Sequence, residues 1–213
     1  MKKRGALAAL AALAQDNRLD VFRLLVQAGP EGMSAGNVAG TLKLAPNTLT
    51  FHFNRLRDAG LITVQRDGRS MIYAARFDTM NALLGYLTEN CCREAPGQRM
   101  PAAGIDAHIA RYADMFSAMG SEARLRIMRL LLSAHPDGMV VGDIGAELEI
   151  PASTLSHHLD KLKNEDLVNV RREGTFLRYS ANAEALREIL AFLYAECCTR
   201  NKAVRPEKIT RYA

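Results

Sequence analysis

LAPNTLTFHFNRLRDAGLITVQRDGRSMIYAA, residues 44 to 75, changes its hydrophobic period half-way along. As far as Leu61 the apolar residues fall at helical spacing, with Leu49, Phe53 and Leu56 on one face. Proline suits a first helical turn, so the break at LAPN marks the start of this helix. Beyond Leu61, β-branched and aromatic residues flank Asp67-Gly68, a signal for a short hairpin. A helix that runs directly into such a hairpin is the second half of a winged helix-turn-helix.

The same stretch is written again as IPASTLSHHLDKLKNEDLVNVRREGTFLRYSA, residues 150 to 181. The two copies lie 106 residues apart, as do the cysteine pairs in LTENCC (87 to 92) and LYAECC (193 to 198). At that shift Arg18 aligns with Arg124, Pro30 with Pro136, His52 with His158, Gly68 with Gly174 and Tyr73 with Tyr179. Repetition on this scale predicts two units of ordinary domain size. EAPGQRMPAAG (94 to 104), with two prolines and two glycines, reads as a linker. The expected division is 1–93 for the first unit, 94–106 for the linker, and 107–213 for the second unit with its basic tail.

Each unit yields one order of elements. A first helix leads to a second, capped by Asp16 or Ser121. A short third helix follows Ser34, or spans Val141 to Leu148, and the helix and hairpin come next. A last helix starts near Asp78 or Asn182 and carries Met80, Leu83, Leu84 and Leu87, or Leu186, Ile189, Leu190 and Leu193, on one face. The fold class is mainly α with small β-wings: two tandem winged helix-turn-helix domains.

The chain has 213 residues, 48% of them hydrophobic, enough for one large core or two small ones. Its net charge of +5 favours acidic partners, nucleic acid among them. MKKRGALAALAALAQD imitates a secretory signal. The repeat, however, lays LAALAQDNRLDVFRLL over FSAMGSEARLRIMRLL, so the Ala/Leu run is expected to be the first helix of a domain. No stretch approaches the roughly 18 apolar residues that would span a bilayer.

In a winged helix-turn-helix, the helix after the turn enters the major groove. With the leucines and Phe53 turned inward, the polar candidates for DNA contact are Asn47, Thr48, Thr50, His52 and Arg55 in the first unit. In the second they are Ser153, Thr154, Ser156, His157, His158 and Lys161. The wings add Arg66, Arg69, Arg171, Arg172 and Arg178. Enzyme chemistry finds no support, since there is no Gly-rich phosphate loop, no HExxH and no nucleophile with a spaced base.

Both units resemble the ArsR/SmtB family of metal-responsive repressors, through LAALAQDNRLDVFRLLVQAGPEGM, LAPNTLTFHFNRLRDAGLI, RDGRSMIYAA and MNALLGYLTENCC and their weaker second copies. The terminal ENCC resembles the arsenic-sensing branch. The resemblance implies a cytoplasmic dimer that holds double-stranded operator DNA until a thiophilic ion releases it. Family members dimerise through their first and last helices, so two units in one chain are expected to form an intramolecular pseudo-dimer. Their reading helices differ, with Phe51 against His157, Asn54 against Asp160 and Arg55 against Lys161, which implies unlike half-sites.

Cys91, Cys92, Cys197 and Cys198 admit three readings. Neighbouring Cα atoms about 3.8 Å apart disfavour a disulfide. Burial accounts for Cys91 and Cys197 but not for their neighbours, which point about 100° away around a helix. Thiolates suit soft metals and metalloids, and the resemblance makes arsenic(III) or an organoarsenical the inducer, with no organic cofactor. Arsenite prefers three thiolates and neither pair has a third cysteine nearby. The pairs therefore cooperate, or the ligand asks for two sulfurs as a monosubstituted arsenical does. Antimonite, a four-thiolate zinc site and a thiol-redox repressor remain alternatives.

Overall fold

The computed structural model describes residues 1–88 and 109–194. The first unit runs α1 (Lys3–Leu13), α2 (Asp16–Ala28), β1 (Met33–Ser34), α3 (Ala35–Leu42), α4 (Pro46–Asp58), β2 (Ile62–Asp67), β3 (Ser70–Ala75) and α5 (Phe77–Thr88). The second repeats it: α6 (Ile109–Met119), α7 (Glu122–Ser133), β4 (Met139–Val140), α8 (Val141–Leu148), α9 (Ala152–Asn164), β5 (Val168–Glu173), β6 (Phe176–Ala181) and α10 (Ala183–Tyr194). Both units are winged helix-turn-helix domains. The linker and all four cysteines lie outside the described residues, as does the boundary expected between the units.

The Ala/Leu run is α1, with Ala6, Ala9, Leu10, Ala12 and Leu13 buried. At its end, Arg18 donates from Nε to the Ala12 carbonyl and from Nη2 to the Ala11 carbonyl at 2.9 Å. Arg124 does the same for α6, to the carbonyls of Ala118 and, at 3.0 Å, Ser117. The last carbonyls of a helix lack partners within it, and a cation there also meets the negative end of the helix dipole. One arginine per unit thus fixes the corner between first and second helices.

The cap of α2 is Gln15, whose side chain accepts from the Arg18 amide, and not Asp16. Asp16 lies just inside, where its charge faces the positive end of the dipole. Ser121 does precede α7, without a side-chain cap bond, and Ser34 caps α3 by accepting from the Asn37 amide.

Each hairpin gains a third strand that its sequence does not announce. β1 pairs antiparallel with β3, Met33 opposite Tyr73, and β4 with β6, Met139 opposite Tyr179. Two residues carry too short a pattern to read as a strand. What makes room for them is Gly32, at φ +68°, because any Cβ there would run into the Tyr73 carbonyl. Gly138 meets Tyr179 in the same way. The hairpin closes on the pair Asp67–Ser70, which puts Gly68 and Arg69 in the two-residue turn, one position later than the Asp67-Gly68 signal suggests. Gly68 takes φ +56° and Gly174 φ +59°.

The two units share one core. α1 packs along α6, and α2 also touches α6. Leu10, Leu13 and Phe116 are all wholly buried. Gly120 faces the backbone of Ala11 across the seam, where a Cβ would make an ordinary contact at 3.5 Å. Each side chain of that size contributes about 1.5–3 kcal/mol on burial. The exposed Lys3–Glu122 ion pair across the same seam adds little beside them.

Two further contacts are reciprocal. The Arg23 guanidinium of α2 lies over the ring of Phe192 on α10, 5.8 Å from its centroid. Arg129 of α7 lies over Tyr86 on α5 at 4.8 Å. Arg23 and Arg129 are equivalent under the repeat, and so are Tyr86 and Phe192. When residue i meets j and the copy of j meets the copy of i, the interface has the symmetry of a two-fold dimer. The expected pseudo-dimer is thus formed within one chain.

Candidate nucleic-acid interface

The reading helix α4 turns Leu49, His52, Phe53 and Leu56 into the core. Phe53 stacks on Tyr73 of β3 with centroids 3.7 Å apart and planes within 8°, which ties the helix to its wing. The opposite side of α4 exposes Asn47, Thr48, Thr50, Phe51, Asn54 and Arg55. The Thr50 hydroxyl donates to the Pro46 carbonyl at 2.8 Å, leaving it able to accept but not to donate elsewhere.

His52 belongs to the core and not to the contact surface. It is 4% exposed, and neither ring nitrogen has a hydrogen-bond partner. Burial, with Arg18 nearby, holds its pKa below the usual imidazole value. Its polarity alone suits DNA contact, whereas its helical phase places it beside Leu49 and Leu56.

α9 buries Leu155, Leu159 and Leu162 and exposes Ser153, Thr154, Ser156, His157, Asp160 and Lys161. Ser156 donates to the Ala152 carbonyl at 3.0 Å, as Thr50 does in the first unit. His158 is half-buried, with Nδ1 unpartnered, and its pKa is lowered by burial and then by Arg124 and His157. Of the candidate histidines, His157 alone stands out from the surface.

The wings look alike in sequence and differ in what their cations do. Arg66 reaches across its turn to the Gly68 carbonyl at 3.1 Å, and Arg172 to that of Gly174 at 3.1 Å. Arg69 sits exposed in the first turn, where the second has Thr175. Arg178 donates to Glu173 Oε2 at 2.8 Å and to the Gly138 carbonyl at 3.1 Å, and Arg171 also binds Glu173. Those two guanidiniums hold the Glu173 carboxyl below its usual pKa. Two of the three wing arginines in the second unit are therefore occupied by one internal carboxylate, which arginine counting does not reveal.

The reading helices and wings also expose four large apolar side chains, Met71 at 43% on β3 among them. Phe51 is 51% exposed on α4, and Phe176 and Leu177 are 61% and 40% exposed at the tip of the second wing. The helical phase of Phe51, opposite Leu49 and Phe53, was the available signal.

Comparison with known proteins agrees with this fold. A family model described as a helix-turn-helix domain matches residues 13–65 and again 119–171. The HTH-type transcriptional regulator MJ1325 of Methanocaldococcus jannaschii, itself uncharacterized, is 40% identical over 78 residues, 37% of this chain and 85% of its own. ArsR2 of Halobacterium salinarum, named for an arsenical resistance operon repressor, is 31% identical over 93 residues, 42% of this chain and 77% of its own. The chain belongs to the ArsR/SmtB family. The transcriptional activator HlyU of Vibrio cholerae is 28% identical over 106 residues, 50% of this chain and 95% of its own. The solved structure of reduced HlyU matches 44% of this chain and 96% of its own, at 29% identity and a TM-score of 0.36.

As an ArsR/SmtB member, the protein is a DNA-binding transcriptional regulator and not an enzyme. These relatives each match about half of it, so this regulator carries their unit twice over. Among the described residues no cluster of His, Cys, Asp or Glu could hold a metal ion, and no helix is long and apolar enough to cross a membrane.

Proposed function

We propose that this ArsR/SmtB regulator is a cytoplasmic repressor that leaves its operator when trivalent arsenic, as arsenite or an organic arsenical, binds the cysteine pairs. The observation that carries this reading is the pair of reciprocal arginine–aromatic contacts. Tyr86 and Phe192 sit near the ends of α5 and α10, five residues before Cys91 and Cys197. Their partners Arg129 and Arg23 belong to α7 and α2, which pack on the reading helices α9 and α4. Each cysteine pair thus follows closely in sequence a ring that contacts the helix supporting the opposite unit's reading helix.

The magnitudes are compatible. A cation–π contact contributes about 0.5–2 kcal/mol, and allosteric coupling is typically about 1–3 kcal/mol. Loss of one such contact on ion capture therefore supplies a good part of the energy that release requires. Thiolates are apt ligands for a soft metalloid, and the name of the archaeal relative points the same way. The units 1–93 and 107–213, joined by 94–106, serve as the two halves of one DNA reader.

In contact with DNA, Asn47, Thr48, Thr50 and Arg55 of α4, and Ser153, Thr154, Ser156, His157 and Lys161 of α9, address bases and phosphates. Arg66, Arg69 and Arg172 flank the backbone. Because the helices are unlike, the half-sites differ, and site selection should return an imperfect palindrome. Anaerobic titration of the protein–operator complex with arsenite, methylarsenite and mild oxidant tests the signal. Release by an arsenical that Cys92→Ser and Cys198→Ser both abolish is the expected result. Release that survives in both serine variants removes the metalloid reading, and release by oxidant alone makes the protein a redox sensor.

A further inference from the structure

We propose that Phe51 reads the 5-methyl group of a thymine in the half-site bound by the first unit. The inference rests on the reading that α4 contacts operator DNA, and adds which chemical group it selects. An exposed phenyl ring at the centre of a polar surface is left facing water unless something apolar covers it. Phe51 lies almost opposite Leu49 and Phe53 around α4, and Asn47, Thr48, Asn54 and Arg55 surround it.

The ring is also held in place. The Arg55 guanidinium lies over it, 5.2 Å from the centroid, and His52 meets it edge-on at 5.8 Å. His52 is anchored in the core, so the ring leaves the helix in a fixed direction and loses little freedom on binding. The surrounding amides, hydroxyl and guanidinium suit base edges and phosphates. Along the major-groove edges of the base pairs, the apolar group on offer is the C5-methyl of thymine.

The second unit lacks the device. His157 occupies the equivalent position, a ring that donates and accepts hydrogen bonds. Methyl reading therefore belongs to one half-site, and it fixes which way round the chain sits on its operator.

The test uses the full chain and an operator obtained by in vitro selection. Each thymine is replaced in turn by deoxyuridine, which lacks only the methyl. At one position, in one half-site, affinity should fall about fourfold, the effect of burying a single methyl-sized group. Phe51→Ala, with its helix content checked by circular dichroism, should bind the unmodified operator correspondingly less well and show no further loss at that deoxyuridine. His157→Ala should keep the full methyl effect.

A chain that binds its operator with no deoxyuridine effect overturns the inference while leaving DNA reading intact. The same holds if Phe51→Ala remains as sensitive as the parent. Failure to select any operator overturns the DNA reading itself, and this inference with it.

Discussion

His52 shows how a single residue's environment decides its role. Its ring is enclosed, without a hydrogen-bond partner and beside Arg18, so the folded chain favours the neutral form. The folded pKa lies below the unfolded value of about 6.5. The unfolded chain therefore binds more protons between those two values, and stability falls as pH drops below about 6.5 toward the folded pKa. Above that window the contribution is fully present. Urea unfolding at a series of pH values should show the midpoint declining on the acid side. His52→Leu, similar in size and unable to ionise, should flatten the decline, and His52→Leu with His158→Leu should flatten it further. A midpoint that varies with pH equally in parent and double variant would refute this account.

At the scale of elements, the wings separate cations that can meet DNA from cations already engaged. Each phosphate neutralised changes the slope of log affinity against log salt by about 0.9. Arg69 is exposed, so Arg69→Ala should reduce that slope by about one phosphate's worth. Arg178 serves Glu173 and the Gly138 carbonyl, so Arg178→Ala should leave the slope alone and lower stability instead. Salt titration of operator binding, beside urea unfolding, distinguishes the two outcomes.

These wings also mark what the sequence can and cannot convey. The change of period near Leu61 and the 106-residue repeat were legible, because helices, hairpins and duplication are written as patterns along the chain. The strands Met33–Ser34 and Met139–Val140 were not, being too short to carry a pattern. Nor was the pairing of Arg178 with Glu173, since residues 5 apart meet only through a particular strand register. The candidate interface was legible as two helices and two wings. Polarity points His52 outward and Phe51 inward, whereas helical phase sets His52 with Leu49 and Leu56 and leaves Phe51 opposite them.

The whole molecule has the symmetry of a dimer and the composition of a monomer. A conventional dimer dissociates on dilution, whereas two reading helices on one shared core remain together at any concentration. One chain should therefore occupy one two-half-site operator with a Hill coefficient of 1. Sedimentation of the complex should give a 1:1 stoichiometry over a wide range of protein concentrations, and a 2:1 complex would contradict it. The reciprocal contacts make a sharper prediction, because they cross between units. On the proposed arsenical reading, changing Cys197 and Cys198 to serine leaves the first pair to respond, by a route through the Tyr86–Arg129 contact to α7 and the α9 it packs on. In that background Tyr86→Leu should diminish the arsenical-dependent loss of operator affinity by about 2- to 30-fold, the span of a cation–π contact. Phe192→Leu, which severs the opposite route from Arg23 to α10 and also removes the ring stacked on Tyr112, should lower stability in urea but leave the response unchanged. The ratio of operator dissociation constants with and without arsenical, measured by fluorescence anisotropy for both variants, decides the matter. Equal effects of the two substitutions would mean that the signal does not travel through these contacts.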